Sequence, residues 1–311
     1  MMRHILVVAL VSLTTLPAVA RADDELAEVL ESAMSADFHG SGVVMCTWGS
    51  DSAATVYEVT RSQGMSMVSG PSGDFMLSGP LVASQSGADW FALEVAEWSA
   101  WSLSDRYSLG DRTPTTRLGR PATDVTVMEG DLKRAHLVID DESTVPLLTE
   151  VFDADGGVFR MAAMVEFVAA PSAAMTMPEE FMEHAMLMSG RHSPRLPGSV
   201  FGYQRTDTYA MPGAGTQAFY TDGLFSFSVF EAGRGTRPDE FASASRFEVD
   251  GIGYSRIVTP SNVWVHWTAP DRSYVLVGDL PPDHIEGVLG GLPRPGLRGV
   301  IWRLLSRVFG S

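Results

Sequence analysis

Asp124-Val125-Thr126-Val127-Met128, residues 134–139, residues 147–152, the turn Asp153-Ala154-Asp155-Gly156-Gly157 and residues 159–168 make up the run of sequence that decides the fold. The first stretch alternates polar and apolar side chains, the period of a strand with one wet face. The next two are short apolar strands of the same kind. The Asp/Gly turn reverses the chain into a strand rich in Met and Val. Four strands joined by short connections form an antiparallel meander, with one face buried and the other in water.

Toward the N-terminus the strand-like pattern continues through residues 42–48, 55–61, 64–68, 75–77 and 90–95, divided by Gly, Ser and Asp. Before it, residues 24–34 place Leu26, Val29, Leu30 and Ala33 on one face of a short amphipathic helix. Toward the C-terminus, Met177-Pro178-Glu179-Glu180-Phe181 opens another short helix, with proline in the first turn and acids at the positive end of the dipole. Residues 189–198 collect Ser, Gly, Arg, His and two prolines, the composition of a linker. Strands resume at 201–209, 216–220, 224–231, 246–249, 252–259, 262–269 and 273–279, and Pro281-Pro282-Asp283 starts a closing helix. The expected class is α+β: a first domain over 23–190, a linker over 191–198, a smaller α+β domain over 199–292 and a tail over 293–311.

Residues 1–22 read as a secretory signal peptide. Arg3 and His4 precede an apolar run over 5–16, Pro17 breaks it, and Ala20-Arg21-Ala22 offers small residues for cleavage. The run is shorter than the roughly 20 residues a membrane span needs, so the mature chain is expected in the periplasm. Among the 311 residues, 38 acids against 22 bases leave a formal charge of -16, which repels a phosphate backbone and argues against nucleic acid as a partner. Cys46 is the one cysteine, so no intrachain disulfide forms, and its strand-like surroundings read as a packed, inert thiol.

Enzyme-like strings carry no chemistry. Gly213-Ala214-Gly215-Thr216-Gln217-Ala218 mimics a dinucleotide fingerprint but leads into a strand, so it reads as a hairpin loop. Asp153-Ala154-Asp155-Gly156 begins like a calcium loop without the later ligands. The mature histidines are scattered, with no metal-binding pair, and Glu180 and His184 read as a surface pair. No catalytic residue, metal site or cofactor is expected.

Tyr220-Thr221-Asp222-Gly223-Leu224-Phe225-Ser226-Phe227-Ser228-Val229 resembles the YSDGLFSFSV segment of the MucB/RseB family of sigma-E regulatory proteins. Val277-Gly278-Asp279-Leu280-Pro281-Pro282 is similar to the VGELPP run before that family's last helix. Gly119-Arg120-Pro121-Ala122, Leu137-Val138-Ile139-Asp140, Thr144-Val145-Pro146-Leu147 and Glu150–Gly156 fit its central hairpins in the same order. The resemblance implies an N-terminal unclosed antiparallel β-barrel of the LolA lipoprotein-carrier kind, packed on helices. It also implies a C-terminal domain that contacts the periplasmic part of a membrane anti-sigma factor. Family members shield that partner from site-one proteolysis, and lipid or lipopolysaccharide ligands release it.

Candidate residues follow from both readings. Val44, Met161, Met164, Val165, Phe167, Met182 and Met186 are expected to line an apolar cavity for an amphiphilic lipid, ordinary core filling being the alternative. Tyr220, Asp222, Leu224, Phe225 and Phe227 are the partner-binding candidates, although the Phe225/Phe227/Val229 face reads most simply as core. A last stretch, 296–309, has one apolar helical stripe with Arg298, Arg303 and Arg307 on the other side and Trp302 at the border. It reads either as peripheral contact with an anionic membrane or as a helix folded back on its own domain.

Overall fold

The computed structural model describes residues 36–62, 64–71, 73–78, 81–86, 89–94, 106–169, 195–211, 215–233 and 239–295, with side chains left out at 73–94, 209–211 and 239–240. The expected signal peptide, the helices over 24–34 and 177–181, residues 191–194 of the expected linker and the stretch after residue 295 lie outside these.

The first sheet has eleven antiparallel strands: β1 (Phe38–Trp48), β2 (Asp51–Ser62), β3 (Met65–Gly70), β4 (Gly73–Ser78), β5 (Leu81–Ser86), β6 (Asp89–Glu94), β7 (Ser108–Arg117), β8 (Arg120–Glu129), β9 (Leu132–Asp140), β10 (Pro146–Phe152) and β11 (Val158–Val168). Each strand pairs with the next in sequence, except that β6 and β7 are left as the two edges while β1 pairs with β11. The sheet is therefore unclosed. The hairpins form where the backbone can reverse: Gly49, Gly119, Gly130 and Gly156 all take positive φ. At the last of these, the Asp153 carboxylate accepts from the amides of Asp155 (3.1 Å) and Gly157 (2.7 Å), an Asx turn.

The second sheet has eight antiparallel strands: β12 (Ser199–Val200), β13 (Tyr203–Met211), β14 (Gly215–Thr221), β15 (Ser226–Ala232), β16 (Ser245–Val249), β17 (Ile252–Val258), β18 (Val263–Thr268) and β19 (Ser273–Gly278). Their order is β12-β13-β14-β15-β19-β18-β17-β16. Met211 faces Gly215 across the β13–β14 hairpin, so the glycine-rich string there joins two strands. A 3-10 turn at Pro282–His284 runs into a single helix, α1 (Ile285–Gly291), which buries Ile285, Val288 and Leu289. Among the described residues this is the one α-helix, so antiparallel sheet dominates what was expected to be α+β.

The alternation in β8 is realised in space, with Val125 and Val127 each 3% exposed. In β15 both faces are covered, and Ser226 and Ser228 are buried as fully as Phe227 and Val229. These serines keep partners: Gln217 donates its side-chain amide to the Ser228 hydroxyl at 3.0 Å, and the Ser226 amide donates to Asp279 Oδ1 at 2.7 Å. The end of the proline-rich stretch is pinned to the second sheet, because Tyr220 donates to the Pro197 carbonyl and Arg205 to that of Leu196.

One hydrophobic core runs through both sheets. Cys46, Trp48, Val125, Leu137, Val151 and Phe159 of the first belong to the same buried cluster as Tyr203, Phe225, Phe227, Trp267 and Leu276 of the second. A smaller cluster at the other end of the first sheet gathers Phe38, Val59, Val68, Val145, Leu147 and Met164, with Tyr57 and Phe167 against it. Cys46 is buried, and burial pushes its thiol up to about 12, so it is an inert packing residue.

Candidate functional site: the seam between the sheets and the groove at the far end

The two sheets meet along a seam keyed by arginine and aspartate. Arg106 and Tyr107, which lead into β7, both reach Asp222 in the β14–β15 turn: Tyr107 donates its hydroxyl to Oδ2 at 2.7 Å, and Arg106 stands at 3.3 Å. Arg134 of β9 makes a two-pronged contact with Asp283, at 2.8 and 3.2 Å. Arg160 of β11 pairs with Asp279. At the other side of the seam the direction is reversed: Arg256 of β17 reaches Asp51 at 2.7 Å, with its guanidinium over the rings of Trp48 and Phe247. Phe225 packs between Tyr107 and Phe159, ring centroids 6.2 Å from each.

His284 sits at the centre of this network. Its Nε2 is 3.1 Å from both Arg106 and Arg134, and its Nδ1 is 2.7 Å from the Tyr203 hydroxyl. Guanidinium groups only donate, so Nε2 must accept and the ring must be neutral, with its proton on Nδ1 pointing to Tyr203. Burial, with Arg106 adding to it, holds His284 down to about 4, so that neutral form is the resident one. Asp222 is shifted the other way. Burial pushes its carboxyl up to about 6, against the donors Tyr107, Phe225, Arg106 and Leu224 that favour the anion. Glu129 joins the two arginines; burial opposes its charge, but its bonds to Arg106 and Arg134 hold its pKa below the usual value.

The five partner candidates from sequence all lie at this seam or in the core behind it. Tyr220, Phe225 and Phe227 are at most 1% exposed, Tyr220 and Phe227 stacking within the second sheet and Phe225 packing against the first, while Asp222 is closed over by the first sheet and Leu224 keeps partial exposure. As the two sheets sit, they hold the molecule together and do not form a free surface. Sequence reasoning found Asp222 through its turn-forming Asp-Gly pair. It missed Arg106, Tyr107, Arg134 and His284, because their partners across the seam are more than a hundred residues distant.

The cavity candidates divide between two faces. Val44 and Met164 point into the buried side, and Phe167 packs there against Phe38, ring centroids 5.6 Å apart. Met161 pairs with Met45 and lies on the opposite face, where strand alternation also places Val165, 54% exposed, and the irregularity between Ser41 and Gly42 turns Glu166 out beside it. Met182 and Met186 lie outside the described residues, as do Arg298, Trp302, Arg303 and Arg307.

At that end of the sheet a groove of about 560 Å³ crosses β2, β1 and β11 and is walled by Leu118 of the β7–β8 turn. Arg117 fixes the turn by donating to the carbonyls of Leu147 (3.0 Å) and Met164 (3.4 Å), and Arg120 lies over the Phe167 ring. Among the described residues, no group of His, Cys, Asp and Glu could hold a metal ion.

Among solved structures the chain is similar to the crystal structure of MucB, with a TM-score of 0.53 and 18% identity over 87% of this chain and 96% of that one. It is also similar to the Pseudomonas aeruginosa MucA/MucB complex, with a TM-score of 0.50 and 18% identity over 89% of this chain and 99% of that one. The fold is thus MucB-like, an arrangement of unclosed antiparallel sheets. No family model and no curated protein matches the sequence.

Proposed function

We propose that this chain is a periplasmic, non-catalytic regulator of an envelope-stress sigma factor. It binds the periplasmic part of a membrane anti-sigma factor, shields it from proteolysis, and lets go when a lipid or lipopolysaccharide ligand binds. The observation that carries this reading is the likeness to MucB through both sheets, over 96% of that protein, together with a solved MucA/MucB complex. Leu224 is the one second-sheet candidate able to touch a partner while the seam stays closed. The basic stripe of Arg298, Arg303 and Arg307 with Trp302 adds peripheral contact with an anionic membrane. The mechanism is linkage: a ligand that prefers the unbound arrangement weakens the partner by no more than that preference.

The test is protection. The full chain is mixed with the periplasmic segment of a one-span anti-sigma protein from the same organism, and the rate of its site-one cleavage is followed. The expected result is slowed cleavage that recovers when lipid is added. Unchanged cleavage at saturating chain would overturn the reading. A lipid or lipoprotein carrier of the LolA type is the second reading, favoured by the apolar cluster of the first sheet and the groove beside it. Native mass spectrometry separates the two, since a carrier retains lipid stoichiometrically.

A further inference from the structure

The described residues include six large apolar side chains with substantial exposure, and three of them, Leu118, Val165 and Val168, wall the single groove at the Phe38 end of the first sheet. Such convergence of exposed apolar side chains marks a ligand surface more often than chance scatter does. Its shape is built in. Leu118 is held at φ 53° in the β7–β8 turn, and Gly40 keeps the middle strand bare, since a Cβ there would come 2.3 Å from the Glu166 carbonyl oxygen.

The polar side of the groove has one sign. Ser41 pairs with Glu58 across β2 and with Glu166 across β11, so two carboxylates flank one serine in a single cross-strand row. The two positions are about 10 Å apart, two strand spacings, so both side chains can lean over Ser41. Ser41 donates to Glu166 Oε2 at 3.1 Å. Among the described residues, no lysine or arginine lines the groove. Of the nearby cations, Arg120 is engaged by Asp140 and Glu142, and Arg117 by two backbone carbonyls. His39 stands in the neighbouring row, opposite Thr60 and Val168.

We propose that this groove binds a single-chain amphiphile whose head carries an ammonium group, with the chain against Leu118, Val165 and Val168 and the ammonium between Glu58 and Glu166. The assignment rests on the reading that the first sheet takes an amphiphile, and it adds the head-group chemistry. An anionic head would be placed beside two carboxylates, and among the described residues no lysine or arginine of the groove is there to receive it.

The experiment titrates the full chain calorimetrically with three lysolipid-sized probes of one acyl length, below their micelle concentrations. They are lysophosphatidylethanolamine, lysophosphatidylglycerol and monoacylglycerol. The expected order places the ethanolamine probe about fivefold tighter than the other two, the gain of exposed ion pairs to two carboxylates. In the Glu58→Gln/Glu166→Gln variant that preference vanishes, while Glu248→Gln/Glu286→Gln, with the same change of net charge, keeps it. Val165→Gln weakens all three probes alike. Equal binding of the three, or a preference that survives the Glu58/Glu166 change, overturns the head-group assignment and leaves the amphiphile reading standing. Binding untouched by Val165→Gln overturns the groove as the site. Binding of none overturns the assignment and the amphiphile reading together.

Discussion

At the scale of single residues, the seam sets two titrating groups against each other. His284, held down to about 4, contributes stability that is present above its ordinary value of 6.5 and is lost as pH falls toward 4. Asp222, pushed up to about 6, contributes stability that is present below 3.8 and is lost as pH rises through 6. Over the window from pH 6.5 to 4 the two slopes oppose, so their sum is nearly flat. Asp222→Asn removes one of them. The variant is expected to lose about 2–3 kcal/mol more than the unmodified chain between pH 7 and pH 4, measured as urea midpoints. His284→Gln leaves the Asp222 slope unopposed, so its stability relative to the unmodified chain rises as the solution is acidified. Equal pH profiles for all three proteins would show that the groups are not linked to folding. The sequence held the Asp222-Gly223 turn in plain view, since local hydrogen bonds make it: Asp222 Oδ1 accepts from the amides of Leu224 and Phe225 at 3.1 and 2.8 Å. It could not show that Tyr107, 115 residues earlier, supplies a third donor. A histidine among scattered histidines looks the same in sequence whether it is wet or buried.

Elements were legible where the contacts are local and illegible where two distant backbones meet. The hairpins joining β8 to β11 read correctly because turn residues and period-two patterning sit side by side in the chain, whereas β5 and β7 were not read as strands. The outward turn of Glu166 beside Val165 was not legible, because it comes from a register slip between β1 and β11, partners more than a hundred residues apart. Glycines make the same contrast testable. Gly278 of β19 pairs with both Phe227 and Val263, and a Cβ there would come 2.4 Å from Phe227 Cβ and from the Ser226 carbonyl oxygen. Nothing flexible can yield, so Gly278→Ala is expected to cost about 3 kcal/mol in chemical unfolding. Gly287 of α1 has a nearer neighbour, the Phe201 ring at 2.0 Å from its would-be Cβ, but that ring is 47% exposed and can swing into water. Alanine also favours the helix by about 1 kcal/mol over glycine. Gly287→Ala should therefore change stability by less than about 1 kcal/mol, despite the tighter geometry, and a loss as large as that of Gly278→Ala would refute the argument from side-chain freedom.

The whole molecule behaves according to what crosses the seam. Domains joined by a small polar interface move and melt separately, whereas a large shared core ties them together. Here the crossing is both apolar and charged. Phe225 of the second sheet is fully buried between Tyr107 and Phe159 of the first, Trp48 meets Phe247 edge-on at 6.3 Å, and arginine–aspartate pairs flank these rings. Pulling the sheets apart would expose those rings to water and break the Asp279–Arg160 pair, which is under a tenth exposed on both sides while the seam is closed. Unfolding one sheet therefore strands the other, and heating should give a single calorimetric transition with equal calorimetric and van't Hoff enthalpies. Phe225→Ala probes this directly. Removing a buried phenylalanine costs about 3–5 kcal/mol. If the core is continuous, that loss lowers the one transition for both sheets, so Trp48 in the first and Trp264 and Trp267 in the second lose their native environment at the same temperature. Were the seam a mere docking contact, the same substitution would split the melt, with one sheet keeping the unmodified midpoint while the other fell away.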